Sequence, residues 1–349
     1  MSKLSIFNKC VFILNIILGV ITLSAYILPF LAPKAFPILA VFTLFMPVVL
    51  GLNILFVLYW LLRRKSHFLL SGVLLLVGIP FFNSLYRFKK IEEPSAEKEW
   101  SLLSYNVRLF NHFNWIKDIQ VSEPMQQLFT DLNPDIICIQ EYTPKHNIQF
   151  KSYPFQHIVM GGNKIKTGHA IFSKFPIIQK GTVKLSDHNV ESIFVDLKIH
   201  DDTVRVYNIH LQSVKISPDV HEIHDNINEV TQERSKKMLT RTSESFQLQQ
   251  LEAEALVKHR ADINYPIIVA GDLNNSSFSY VYRKVRGTLL DAFAEAGKGF
   301  GKSYFFKHYP ARIDYIFVDP RFEVLSFDTF DQFEYSDHYP LFARMRKMD

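Results

Sequence analysis

Three long stretches without a single Asp, Glu, Lys or Arg fill the first quarter of the chain, and nothing else limits its folding so strongly. They cover residues 10–33, 35–62 and 66–86, with lengths of 24, 28 and 21 residues. A helix needs about 20 apolar residues to cross the hydrocarbon core of a bilayer, so each stretch is long enough to span one. A cleaved signal peptide has an apolar core of only about 7–15 residues and is not followed by two further stretches of the same kind. The sequence therefore predicts three transmembrane helices, at about residues 11–32, 37–62 and 67–86, and an integral, multi-pass membrane protein.

Charge divides the chain at the same place. Residues 1–100 carry 10 Lys+Arg and 4 Asp+Glu, whereas residues 101–349 carry 29 and 30. The pI near 8.9 thus comes from the apolar part and its flanks. A nucleic-acid-binding face shows as basic charge clustered within the domain itself, and no such stripe is evident after residue 100. With the N-terminus inside, Lys3, Lys9, Arg63, Arg64 and Lys65 are cytoplasmic, against Lys34, Arg87, Lys89 and Lys90 outside. The positive-inside rule then leans slightly towards an extracytoplasmic C-terminal domain. Cys10 begins an apolar stretch and Cys138 lies in a strand-like run of the following domain, so an internal disulfide is not expected.

Residues 87–98 are polar and charged, contain Pro94, and read as a linker between a membrane domain (1–86) and a second domain (99–349). In the second domain strand-like runs recur at 101–107, 135–140, 192–199, 204–209, 266–270, 313–318 and 340–345, with a hairpin turn at Asp201–Asp202. Helical patterns at 123–132, 246–259, 280–285 and 289–296 alternate with them. This interleaving predicts an α/β domain with functional groups at strand ends. Residues 215–242 are polar without an apolar stripe, and read equally as a substrate-selecting loop or a surface helical insertion.

Five short polar motifs close apolar runs: SYNVR (104–108), IQE (139–141), GDLNN (271–275), RIDY (312–315) and SDHYP (336–340). Together they assemble hard oxygen ligands and one imidazole, a set suited to a Mg²⁺-type ion and a phosphate ester. Asp272 and Asn274 are two apart, so in an extended segment both face one way. A carboxylate there can take a proton from water while the amide holds a phosphoryl oxygen; the competing reading is an Asx turn leading into the next helix. A carboxylate beside the His338 ring would fix its tautomer and support its cation, although Asp314 could instead pair with Arg312. Glu141 ends a strand too apolar to finish on a carboxylate without a partner. His221 and His224 lack a Cys or further His at zinc spacing, so zinc is not expected.

The order and wording of these motifs resemble the endonuclease/exonuclease/phosphatase superfamily, which includes deoxyribonuclease I, abasic-site endonucleases, inositol-polyphosphate 5-phosphatases and neutral sphingomyelinases. The resemblance spans about residues 99–349 and extends to NIHL (208–211) and GHAIFSKFPI (168–177). It implies two packed mixed β-sheets flanked by helices, a four-layer sandwich. It also implies roles. Asp272 is the base, Asn274 and His338 stabilise phosphoryl charge, and Asp314 orients His338. Glu141, Asn106 and Asp337 hold Mg²⁺, with Mn²⁺ an alternative, and His210 with Glu191 forms a proton-donating dyad. The function so implied is a membrane-anchored phosphoesterase acting on a nucleic acid (as a nuclease) or a lipid headgroup (as a phosphodiesterase), with no obligate protein partner. The alternative is an inactive, membrane-tethered binding module of the same fold. Every candidate residue lies at or beyond Asn106, which predicts that residues 1–86 are dispensable for chemistry.

Overall fold

The computed structural model describes residues 4–88, 98–117, 119–161, 166–185, 192–214, 232–306 and 309–348. They form two compact units. One comprises Met1–Leu85, Val214–Gln250 and Ser276–Arg283, and the other comprises Tyr86–Ser213, Leu251–Asn275 and Lys284–Asp349. Two segments beyond residue 86 therefore belong to the unit that the apolar stretches build.

In that first unit the apolar stretches become α1 (Ile6–Ile27), α2 (Pro37–Val41), α3 (Met46–Leu62), α4 (Phe68–Val77) and α5 (Ile79–Leu85). Ser5 starts α1 by accepting a hydrogen bond from the Asn8 N–H. Two helical stretches, Ile6–Phe30 and Pro37–Leu62, are long and apolar enough to cross a membrane. The third expected span is not one straight helix, because α4 and α5 meet at a bend of 71°. Gly78 sits at the break and Pro80, lacking an N–H, cannot continue the hydrogen-bond ladder of α4.

The side-chain pattern of these helices inverts that of a water-soluble bundle. Ile13, Leu14, Ile17, Val20 and Leu55 are exposed, while Asn15, Thr22, Asn53 and Ser71 are buried. Asn15 donates to Ser71 Oγ at 2.7 Å and accepts from Trp60 Nε1 at 3.0 Å; Asn53 donates to Thr22 Oγ1 at 2.8 Å. Polar contacts between helices with apolar exteriors are the kind that hold helices together in lipid.

The second unit is built on β1 (Trp100–Asn106), β2 (Ile136–Tyr142), β3 (Phe155–Gly161), β4 (Thr167–Ser173), β5 (Ile177–Val183), β6 (Ser192–Ile199), β7 (Asp202–His210), β8 (Ile267–Asp272), β9 (Leu290–Asp291), β10 (Asp314–Val318), β11 (Phe322–Thr329) and β12 (Leu341–Lys347). They form two six-stranded mixed sheets, in the orders β11-β12-β1-β2-β4-β3 and β5-β6-β7-β8-β10-β9. The pairs β1–β2 and β7–β8 are parallel; the other pairs are antiparallel. Alternate residues of the central strands meet in one buried core: Leu102, Ile136 and Cys138 from one sheet, Val206, Ile268 and Ile316 from the other.

Helix α6 (Ser122–Leu132) covers the outer face of the first sheet with Met125 and Phe129, one turn apart on one stripe. It stops at Asn133, which takes a left-handed φ of 42° just before Pro134. On the second sheet Tyr207 meets His259, near the end of α7 (Gln232–Arg260), at 3.0 Å. Residues 232–242, expected to be polar insertion, are thus the start of this helix, while residues 215–231 lie outside the described residues. Helix α8 (Tyr280–Arg286) agrees with expectation. The helix expected at 289–296 is instead strand β9 followed by the short α9 (Ala292–Ala296), which Asp291 caps through the Phe293 N–H.

A buried amide on β7 stitches the two sheets. Asn208 on β7 donates to the carbonyls of Ile139 at 2.8 Å and Ala170 at 3.0 Å, and accepts from Gln140 Nε2 at 2.7 Å. Asn208→Ala would take one partner from each of the two carbonyls and from Gln140, whose Nε2 keeps Ser104 Oγ at 3.3 Å; a buried group left unpaired costs about 1–3 kcal/mol. The expected loss is about 2–4 kcal/mol of stability, read as a lower thermal midpoint of the full chain in detergent. An unchanged midpoint would refute the stitching role.

Candidate active site

The register of the second unit brings the motif residues together. Asp272 at the end of β8 is paired with His210 on β7 and with Asp314 on β10. Asn106 ends β1 beside the end of β2, where Glu141 lies. His338 precedes β12, which pairs with β1.

Gly271 makes the turn into this site possible. Its φ is 136°, and a Cβ there would lie 2.0 Å from the Ile209 carbonyl oxygen. Asp272 is fully buried. Its Oδ1 accepts from the Asn274 N–H at 2.7 Å, and its Oδ2 accepts from Asn274 Nδ2 at 3.1 Å and Asn106 Nδ2 at 3.2 Å. Asn274 also donates to the Leu211 carbonyl at 3.0 Å and adopts a left-handed φ of 50°. The Asx-turn reading of GDLNN holds, and the turn folds Asn274 onto the Asp272 carboxylate.

His338 is the electrostatic centre. Its Nδ1 lies 2.9 Å from Asp314 Oδ2, and its Nε2 lies 3.7 Å from Asp272 Oδ2. Burial works against a charge on the ring, but the Asp314 and Asp272 carboxylates outweigh it and lift the pKa to about 10. Burial first, and then Asp314, push the Asp272 carboxyl up to about 6, against the pull of His338 and His210. Asp314 does not pair with Arg312. That guanidinium goes to Asp291, while Ser303 Oγ accepts from the N–H groups of Ile313 and Asp314 and fixes the start of β10.

Glu141 is aimed by a β-bulge. Between Ile139 and Tyr142 of β2 the pairing with β4 shifts by one residue, and Glu141 takes a φ of 51°. Its carboxylate accepts from Asn106 Nδ2 at 3.4 Å and lies 3.9 Å from His210 Nε2. Burial and then Asp337 raise its pKa. Asp337 is paired with Arg108 at 3.2 Å, whose guanidinium stacks 4.5 Å over Trp115. His210 Nε2 is also 3.5 Å from Asp272 Oδ2, and burial keeps its pKa low. Behind His210 stands the buried ring of His169, 6.2 Å away, which burial and then His210 hold at a pKa of about 3. Glu191, the expected dyad partner of His210, lies outside the described residues.

Two groupings of metal donors are present. Asp272, Asp314 and His338 offer three ligand atoms within 4.8 Å of one another. A protonated imidazole is no ligand, however, and this trio already carries its own cation in His338. Glu141 and Asp337 are the better match for a divalent ion: two hard carboxylates close enough for the Asp337 charge to raise the Glu141 pKa, with Arg108 paired to Asp337. Asn106 fits less directly, since it turns its NH₂ to the carboxylates while its Oδ1 accepts from the Arg108 N–H at 3.1 Å. Arg108 and Tyr304, whose ring meets His338 at 4.9 Å, were not evident from the sequence. Arg108 lies inside SYNVR, but the run of left-handed residues from Arg108 to Asn111 that aims it leaves no periodic trace.

Comparison with known proteins gives a consistent picture. Residues 103–338 match the profile of the Endonuclease/Exonuclease/phosphatase family, and residues 8–85 match that of a domain of unknown function. Comparison with curated proteins gives no match. Among solved structures, a humanized TDP2 from D. rerio is similar over 72% of this chain and 100% of its own, at 13% identity and a TM-score of 0.52. An endonuclease/exonuclease/phosphatase from Bacteroides vulgatus aligns over 72% and 99%, at 18% identity and 0.51. The catalytic domain of human Nocturnin, with a bound sulfate anion, aligns over 74% and 97%, at 15% identity and 0.50. At these identities the likeness is one of fold.

Proposed function

The chain belongs to the endonuclease/exonuclease/phosphatase family, and from that premise we propose that it is a membrane-anchored, divalent-metal-dependent phosphoric ester hydrolase. The observation that carries this reading is the buried Asp272–His338–Asp314 arrangement beside the Glu141 and Asp337 carboxylates. A structural role would not require four carboxylates and an imidazole gathered inside one fold.

Glu141 and Asp337, with Asn106 at their side, would hold Mg²⁺ or Mn²⁺; the ion when bound supplies positive charge to a phosphoryl oxygen. The other groups belong to the chain itself. Asp272 accepts the proton of the attacking water, held in place by Asn274 and Asn106. His338, kept cationic by Asp314, presents an N–H to the charge that develops on the phosphoryl oxygens. His210, kept neutral by burial, would offer the leaving oxygen a hydrogen bond rather than a proton. The apolar helices make the protein an integral, multi-pass one. The balance of −1 over residues 101–349 disfavours a polynucleotide as substrate.

The test is hydrolysis of bis(p-nitrophenyl) phosphate by the full chain in detergent. Turnover should require Mg²⁺ or Mn²⁺ and vanish with EDTA. A well-folded protein inert with either metal would instead identify a binding module.

A further inference from the structure

The loop after β1 is strained in a way that aims one side chain. Arg108, Leu109, Phe110 and Asn111 take left-handed φ values of 43°, 54°, 51° and 56°. For Arg, Leu and Phe this conformation is unfavourable, and it persists only where the surroundings over-determine it. Here they do so at three points. The Arg108 N–H donates to Asn106 Oδ1 at 3.1 Å. Phe110 is buried, with its ring against Tyr142 and His146. Asn111 closes the loop on Ile116, donating from Nδ2 to its carbonyl at 2.8 Å and accepting from its N–H at 3.0 Å. That closure fixes the neighbouring Trp115, over whose ring the Arg108 guanidinium lies at 4.5 Å.

The side chain so aimed is a cation at the candidate metal centre. Arg108 Nη1 lies 3.2 Å from Asp337 Oδ2. Its charge also reaches Glu141, where it opposes the burial and the Asp337 charge that raise the pKa. A guanidinium carries five N–H donors in a rigid fork. Among the described residues Asp337 is the one ionic partner of this fork, and the side chain stays 26% exposed. An ion pair so open to water adds little to stability, so maintenance of the fold does not account for the strained loop. We infer that Arg108 is a substrate-contacting residue: its guanidinium, steadied by Trp115, donates to a non-bridging phosphate oxygen of the ester bound at this site. Guanidinium–phosphate pairs are charge-assisted, strong and frequently bidentate. The phosphoryl group then draws on two cations of the chain itself, Arg108 beside Asp337 and His338 beside Asp272. This inference rests on the phosphoesterase reading for the identity of the ester, but not for the affinity for phosphate.

The experiment uses the full chain in detergent with Arg108→Gln, which removes the charge, and Arg108→Lys, which keeps the charge and loses the fork. Calorimetric titration with inorganic phosphate, with and without Mn²⁺, should show an affinity lower by about tenfold or more in Arg108→Gln. Arg108→Lys should recover part of the loss. Mn²⁺ affinity should be unchanged or higher in Arg108→Gln, because a cation that shared Asp337 has gone. The thermal midpoint should move by no more than about 3 °C. On bis(p-nitrophenyl) phosphate, kcat/KM should fall by about the same factor as phosphate affinity or more. If Arg108→Gln does not fold, Arg108→Lys carries the test with a smaller loss in the same direction. Weaker Mn²⁺ binding in Arg108→Gln would make Arg108 a support for Asp337 and overturns the inference. Wild-type phosphate affinity in that variant, or a wild-type chain that binds no phosphate, overturns it as well. A wild-type chain that binds phosphate through Arg108 yet is inert towards the diester sinks the phosphoesterase reading alone, and the phosphate contact stands.

Discussion

Asp272→Asn is expected to lower kcat by about 10²–10⁴-fold, the usual worth of a general base, with little change in KM. The amide copies the shape of the carboxylate, although its NH₂ meets donors that both carboxylate oxygens satisfied, so a stability loss must be measured beside the rate. What disappears is the proton acceptor 3.7 Å from the His338 ring. Loss of the Asp272 charge also removes one of the carboxylates that raise the His338 pKa, after Asp314 and beside Asp337, so the substitution weakens base and charge stabiliser together. His338→Ala should therefore add less than its own effect when combined with Asp272→Asn. Single-turnover rates and melting temperatures on the same preparations decide the matter. A rate loss fully explained by unfolding would remove Asp272 from the chemistry.

Glu141→Ala should abolish metal-dependent turnover and leave the fold intact. The side chain is 29% exposed at a strand end rather than part of the core, so its removal leaves no cavity between the sheets. It does remove one of the two carboxylates that suit a divalent ion. Mn²⁺ binding to the full chain, followed by the loss of its free electron paramagnetic resonance signal, should weaken at least tenfold. Wild-type turnover and Mn²⁺ affinity in Glu141→Ala would move the metal site elsewhere, with Asp272, Asp314 and His338 as the remaining grouping.

The sequence made the interior of the α/β unit legible and left its margins dark. The seven runs read as strands are β1, β2, β6, β7, β8, β10 and β12, and the stretch 168–177 adds β4. These eight are the inner strands of the two sheets. The four that went unread, β3, β5, β9 and β11, are the four edges. An inner strand is covered on both sides and its apolar run is strong. An edge strand pairs on one side only, and β3 and β5 are half exposed, which dilutes the alternation that marks a strand.

The candidate site divides along similar lines. Asn106, Asp272, Asp314 and His338 could be read because each stands where an apolar run ends or is about to begin. The bulge that aims Glu141 and the left-handed turn that brings Arg108 to Asp337 could not, because both are departures from periodicity. Nor does a hydropathy pattern reveal that 276–283, half of it Ser and Arg, belongs with the apolar helices. Its residue in their buried cluster is Phe278.

The position of β12 bears on when the protein can first act. Asp337 and His338 immediately precede it, and they are held at the site by a strand that docks between β1 and β11. Translation delivers the apolar helices first, then Asn106, Glu141, His210, Asp272 and Asp314, and these two residues last. A chain interrupted anywhere before residue 337 lacks both the imidazole and one carboxylate, however well its earlier parts have folded. On the phosphoesterase reading, a chain made in this order completes its candidate catalytic set only once residue 338 has been added.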